Sequence, residues 1–109
     1  MTFNEFQKKA VKTSVYPDKG NNFIYPTLGL AGEAGEVAEM GKKLIRDDDS
    51  KLTPERKDLL VKELGDVLWY IAALSHELGV SLNKVATTNV KKLASRRKRG
   101  VVKGSGNSR

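Results

Sequence analysis

Two stretches constrain this chain more than anything else in it. In GLAGEAGEVAEM and its flank, Leu30, Val37, Met40 and Leu44 recur at helical spacing, and Glu33 falls in the middle of them with Glu36 beside it. Around VKELGDVLWY, Leu60, Leu64, Val67, Ile71 and Leu74 form a second stripe, with Glu63 inside it and Asp66 at its edge. At ~100° per residue, side chains three apart lie within about 60° of each other on a helix, so each acid pair points one way. A fold that buries both stripes must also accommodate four carboxylates.

The rest of the chain supplies helices to build on. Phe3, Phe6, Ala10 and Val11 mark a short amphipathic helix over residues 2–14, with Thr2 as N-cap and Glu5 complementing the macrodipole. VYPDKGNN is turn chemistry. The second helix is expected from Pro26 or Thr27 to about Arg46. It contains Gly29, Gly32, Gly35 and Gly41, each costing up to ~1 kcal/mol relative to alanine, so either close helix packing or room for a ligand must account for them. Thr53, Pro54 and Glu55 read as N-cap, first helical position and first turn of a third helix, which runs to about Leu78 with Gly79 as its C-cap. The short link makes helices two and three an antiparallel hairpin, in which ExxE can face ExxD. Ser81 caps a fourth helix, with Leu82, Val85, Ala86, Val90 and Leu93 on its apolar side, to about Arg97. With no strand pattern, no solenoid period and no linker, the reading is all-α. Residues 1–99 form one four-helix domain and residues 100–109 a basic tail with glycine and serine, expected to be flexible.

At 109 residues the chain can bury a core yet leave enough apolar surface for an oligomer contact. The opening MTFNEFQKKAVK is too polar for a signal peptide and no apolar run approaches the ~20 residues of a membrane span, so a soluble cytoplasmic protein is expected. The net charge of +7 suggests a nucleic-acid binder until it is located. Residues 91–109 hold eight positive charges and no acid, which leaves the first ninety at −1, so the basicity belongs to the C-terminal end.

An ionised carboxylate in apolar surroundings costs several kcal/mol without a partner, and like charges three apart add to that. A lone ExxE is ordinary helix surface; two facing ones in apolar stripes need a cation. Lys62 points about 100° from Glu63 and Lys43 lies at the outer edge beside Glu36, whereas a bound metal accounts for all four acids. There is no cysteine, and carboxylates alone favour Mg²⁺ or Mn²⁺ over Zn²⁺. Mg²⁺ tends to complete its shell with substrate phosphate oxygens. On the fourth helix Asn89, Lys92 and Arg96 share one face and would meet such phosphates, although a solvated basic helix end is the plainer reading of that face taken alone.

GLAGEAGEVAE, then KELGDVLWYI, then NVKKLASRRKRGVVKGSG resemble the MazG-like nucleoside triphosphate pyrophosphohydrolases, an all-α superfamily related to dCTP pyrophosphatases and dimeric dUTPases. The resemblance implies a helical bundle completed as a homodimer or homotetramer. It also implies Mg²⁺-dependent hydrolysis of (deoxy)nucleoside triphosphates to monophosphate and pyrophosphate. Carried over by position, Glu33, Glu36, Glu63 and Asp66 hold the metal, and Asn89, Lys92 and Arg96 meet the phosphates. Many relatives begin the first motif with two adjacent acids; here Gly32 precedes Glu33, so the water-activating role falls to Glu33 or Glu36, with Glu39 an outside candidate.

Trp69 and Tyr70 follow Asp66 by three and four residues and could stack a base, though buried packing is the commoner role. His76 reads as a helix-end residue, Asp47 to Asp49 as a solvated loop, and GSG as too short for a phosphate loop. Two rivals remain at this stage: a helical nucleic-acid-binding module using RRKRGVVKGSGNSR, and a family member that binds nucleotides without turnover.

Overall fold

Local capping chemistry sets where each helix begins. In a computed structural model describing residues 1–109, α1 spans Phe3–Thr13, α2 Ile24–Asp47, α3 Pro54–Glu77 and α4 Leu82–Arg99. Thr2, Thr53 and Ser81 each accept a hydrogen bond from a backbone N–H three residues on, satisfying donors that a helix start leaves orphaned. α2 starts ahead of Pro26 because Asn22 Oδ1 accepts from Tyr25 N (3.0 Å), and proline in the first turn lacks only an N–H that has no helical partner there. Gly79 (φ 71°) and Gly100 (φ 71°) take the left-handed conformation just past α3 and at the C-cap of α4.

α3 is the hub: it packs against α2 along the hairpin and against α1 and α4 at its C-terminal end, while α2 touches neither α1 nor α4. The core is small. Ala10, Ala72 and Leu82 meet at the crossing of α1, α3 and α4, and Phe6, Leu68, Trp69 and Ile71 pack around them. Gln7 ties the crossing, donating to Ala72 O and Val80 O while accepting from Leu82 N. Trp69 Nε1 donates to Thr13 Oγ1 (2.8 Å). The α1–α2 loop is held by Glu77, whose carboxylate accepts from Tyr16 OH, Gly20 N and Asn22 N.

Several expectations need correction. Leu64, placed in the α3 stripe, is 55% exposed, and on α4 Val90 and Leu93 are exposed at 65% and 46%. Within the run Asp47 to Asp49, the first two acids latch the hairpin: Asp47 pairs with Arg46 and Arg56, and Asp48 with Arg56 at 2.7 Å. Residues 101–109 have no regular structure but fold back along α4. Arg109 donates to Val101 O, Val102 O and Gly106 O, and Arg99 donates to Arg109 O.

Candidate metal centre

The antiparallel hairpin brings the two acid motifs together. Glu33 on α2 and Glu63 and Asp66 on α3 each offer a carboxylate oxygen, and the three oxygens lie within 4.8 Å of one another. Glu33 and Glu63 are half-buried, Asp66 is exposed, and Glu36 stays exposed outside the group. The acids thus line the rim of the α2–α3 seam, with Glu33 and Glu63 the deeper members.

The protein supplies no cation to them. Its ion pairs involve Glu39, Asp47 and Asp48 only, so neither Lys43 nor Lys62 compensates the cluster. Burial, followed by the charges of Asp66, Glu63 and Glu36, pushes the Glu33 carboxyl above the usual range. Oxygens gathered within 4.8 Å of one another could share one hard divalent cation. The donor set, all carboxylate, fits the same class of ion.

One turn along the seam, the Tyr70 ring rests on Gly29. A Cβ at Gly29 would fall 2.2 Å from Tyr70 Cε1. Of the glycines in α2, Gly29 alone meets such a neighbour; Gly32, Gly35 and Gly41 face open space, as does Gly65 between the α3 acids. Trp69 meets Tyr70 edge-on at 4.9 Å between centroids.

The α4 donors are placed differently. Asn89 is exposed, Lys92 half-buried, and Arg96 only 5% exposed. Arg96 Nη2 donates to Gly106 O and Asn107 Oδ1, Lys92 Nζ donates to the same Asn107 oxygen, and Arg96 Nε is sealed without an acceptor. Burial and then the nearby Arg109 and Arg99 lower the Arg96 pKa. The structure gives these side chains no hydrogen bond or ion pair to the acids, and α4 does not touch α2. No sequence signal marked Asn107, whose role depends on the tail folding back.

Paired acids on an all-α hairpin have a counterpart among known proteins: residues 26–101 match the family described as the MazG nucleotide pyrophosphohydrolase domain. The chain belongs to the MazG family. The matched span takes in both acid motifs and the α4 donors, so the family's signature covers the centre described above. Relatives extend over nearly the whole chain. "Gene 37 protein" of Mycobacterium phage L5 is 46% identical over 109 residues, covering 95% of this chain and 96% of its own. "Uncharacterized protein YvdC" of Bacillus subtilis (strain 168) is 32% identical over 92 residues, covering 84% and 86%. No solved structure matches the chain. The family match points to nucleotide pyrophosphohydrolase activity as the general class, and no helix here is long and apolar enough to cross a membrane.

Proposed function

We propose that this MazG protein hydrolyses (deoxy)nucleoside triphosphates to monophosphate and pyrophosphate with Mg²⁺, or Mn²⁺ in its place, as an intracellular enzyme clearing the nucleotide pool. The observation that carries it is the convergence of Glu33, Glu63 and Asp66 from two helices, uncompensated by any protein cation. These three would hold the metal, with Glu36 completing the set or meeting its waters. A bound Mg²⁺ supplies neutralisation of phosphate oxygens and polarisation of a water. Glu36, exposed beside the cluster, or Glu33 within it would orient that water and take its proton. Asn89, Lys92 and Arg96 bind the polyphosphate once the tail yields them, and Trp69 and Tyr70 border the base. Residues 1–99 act as the helical domain and 100–109 as its tail.

The assembly is a homodimer or homotetramer. The protomer exposes 7967 Å² where a compact 12.0 kDa monomer exposes about 6,000 Å². The excess of about 2,000 Å² is on the scale of a stable protein interface.

The test is pyrophosphate release from nucleoside triphosphate with and without Mg²⁺, on wild type and Glu63→Ala. The variant should lose Mg²⁺-dependent release while its helical circular dichroism stays intact; unchanged turnover would remove Glu63 from the site.

A further inference from the structure

We infer that Tyr70, seated on the bare Cα of Gly29, is a positioning residue that sets the spacing of α2 from α3 and thereby the separation of Glu33 from Glu63 and Asp66. This rests on reading those three acids as a cation site. The register makes the connection. In the antiparallel hairpin Gly29 precedes Glu33 by four residues and Tyr70 follows Asp66 by four, so the glycine–tyrosine contact lies one helical turn from the carboxylates on the same seam.

The contact is close enough to dictate distance. A Cβ on Gly29 would lie 2.2, 2.4 and 2.6 Å from Tyr70 Cε1, Cζ and Cδ1. Ordinary contact begins near 3.4 Å, so an alanine there requires the ring or the helix to move by more than 1 Å. The ring has little freedom to move. Trp69 meets its edge, and Trp69 is itself anchored on Thr13. The helix gives way more easily, because α2 packs on α3 alone. Displacement by about 1 Å one turn from Glu33 is large against the ~2.1 Å bonds and near-octahedral geometry that Mg²⁺ demands. Other α2 glycines have open space, so the bare Cα at position 29 has a reason inside the protomer that theirs do not.

The test uses the full chain and Mn²⁺ as probe, with affinity read by isothermal titration calorimetry and fold by circular dichroism, on wild type, Gly29→Ala, Tyr70→Ala and Gly29→Ala/Tyr70→Ala. Gly29→Ala should weaken Mn²⁺ binding by about tenfold or more, the scale on which metal sites respond to loss of their positioning partners. Tyr70→Ala, which removes the spacer, should itself weaken Mn²⁺ binding by about threefold or more, and in that background Gly29→Ala, whose methyl now has room, should cost no more than about threefold further. Gly29→Ala or Tyr70→Ala binding as wild type does, or Gly29→Ala costing as much in the Tyr70→Ala background as in wild type, overturns the inference. If Gly29→Ala fails to fold, the double variant decides: folding with Mn²⁺ binding within about threefold of Tyr70→Ala supports the spacer, and anything less contradicts it. Wild type that binds Mn²⁺ without turnover would remove the hydrolase reading and leave the spacer to be judged by the variants. Wild type that binds no Mn²⁺ overturns the inference.

Discussion

Glu33 sits beside Glu36, Glu63 and Asp66 with no protein cation paired to any of them, and burial together with their charges raises its pKa. Its raised pKa means that the metal-free folded protein holds this proton to higher pH than the unfolded chain does. The stability contributed by that group is therefore complete below the unfolded value near 4.5 and is lost as pH rises through the folded pKa. Metal-free Glu33→Gln should accordingly melt above wild type at pH 7.5 in EDTA, with the gap closing as the pH falls towards 4.5, by differential scanning fluorimetry. Adding Mg²⁺ should raise wild type more than the variant. A variant less stable than wild type at pH 7.5 in EDTA contradicts this account of the charge balance. The depth order of the four acids was legible in the sequence, because the angular position of Glu33 and Glu63 within their stripes is a local property. The role of Gly29 was not, since nothing local says which aromatic ring will face it.

The helices themselves were legible wherever their ends are written in short-range chemistry. Thr2, Thr53 with Pro54, and Ser81 open α1, α3 and α4 at the expected positions. α2 begins earlier than Pro26 suggests because the side chain of Asn22 caps it from two residues before its first turn. The packed tail was illegible for a different reason: its order comes from Arg96, Arg99 and Arg109 donating to main-chain oxygens, contacts that exist only after the chain doubles back. The α1–α2 loop depends likewise on one long-range acceptor. Desolvation pushes the Glu77 carboxyl up, but hydrogen bonds from Tyr16, Gly20 and Asn22 overturn this and hold it below the usual range, so its contribution is present at neutral pH and lost on acidification. Glu77→Ala should cost about 2 kcal/mol in urea unfolding at pH 7, the scale of charge-assisted hydrogen bonds reduced for partial exposure, and less at pH 3, below the ordinary carboxylate value. An equal cost at both pH values would point to lost packing instead.

The protomer as a whole is open. Its radius of gyration is 16.7 Å, against about 13 Å for a compact domain of this length, and Leu28 and Ile45 on α2 are exposed at 68% and 70%. A long helix supported by one neighbour, with apolar side chains on its far side, is the face on which the proposed self-association is tested. Leu28→Glu should convert an oligomer to a 12.0 kDa monomer by light scattering, with lower thermal stability. Unchanged mass would move the contact to another face. The sequence carried the fold class and left this arrangement open, because hydrophobic periodicity marks which residues seek burial and does not say whether the cover is the same chain or another. The most direct test of the central claim is to follow deoxynucleoside and nucleoside triphosphates by phosphorus NMR with the wild-type protein, with and without Mg²⁺. Conversion to nucleoside monophosphate and pyrophosphate only when Mg²⁺ is present is the predicted result; release of diphosphate and orthophosphate, or no change in any triphosphate, would contradict it.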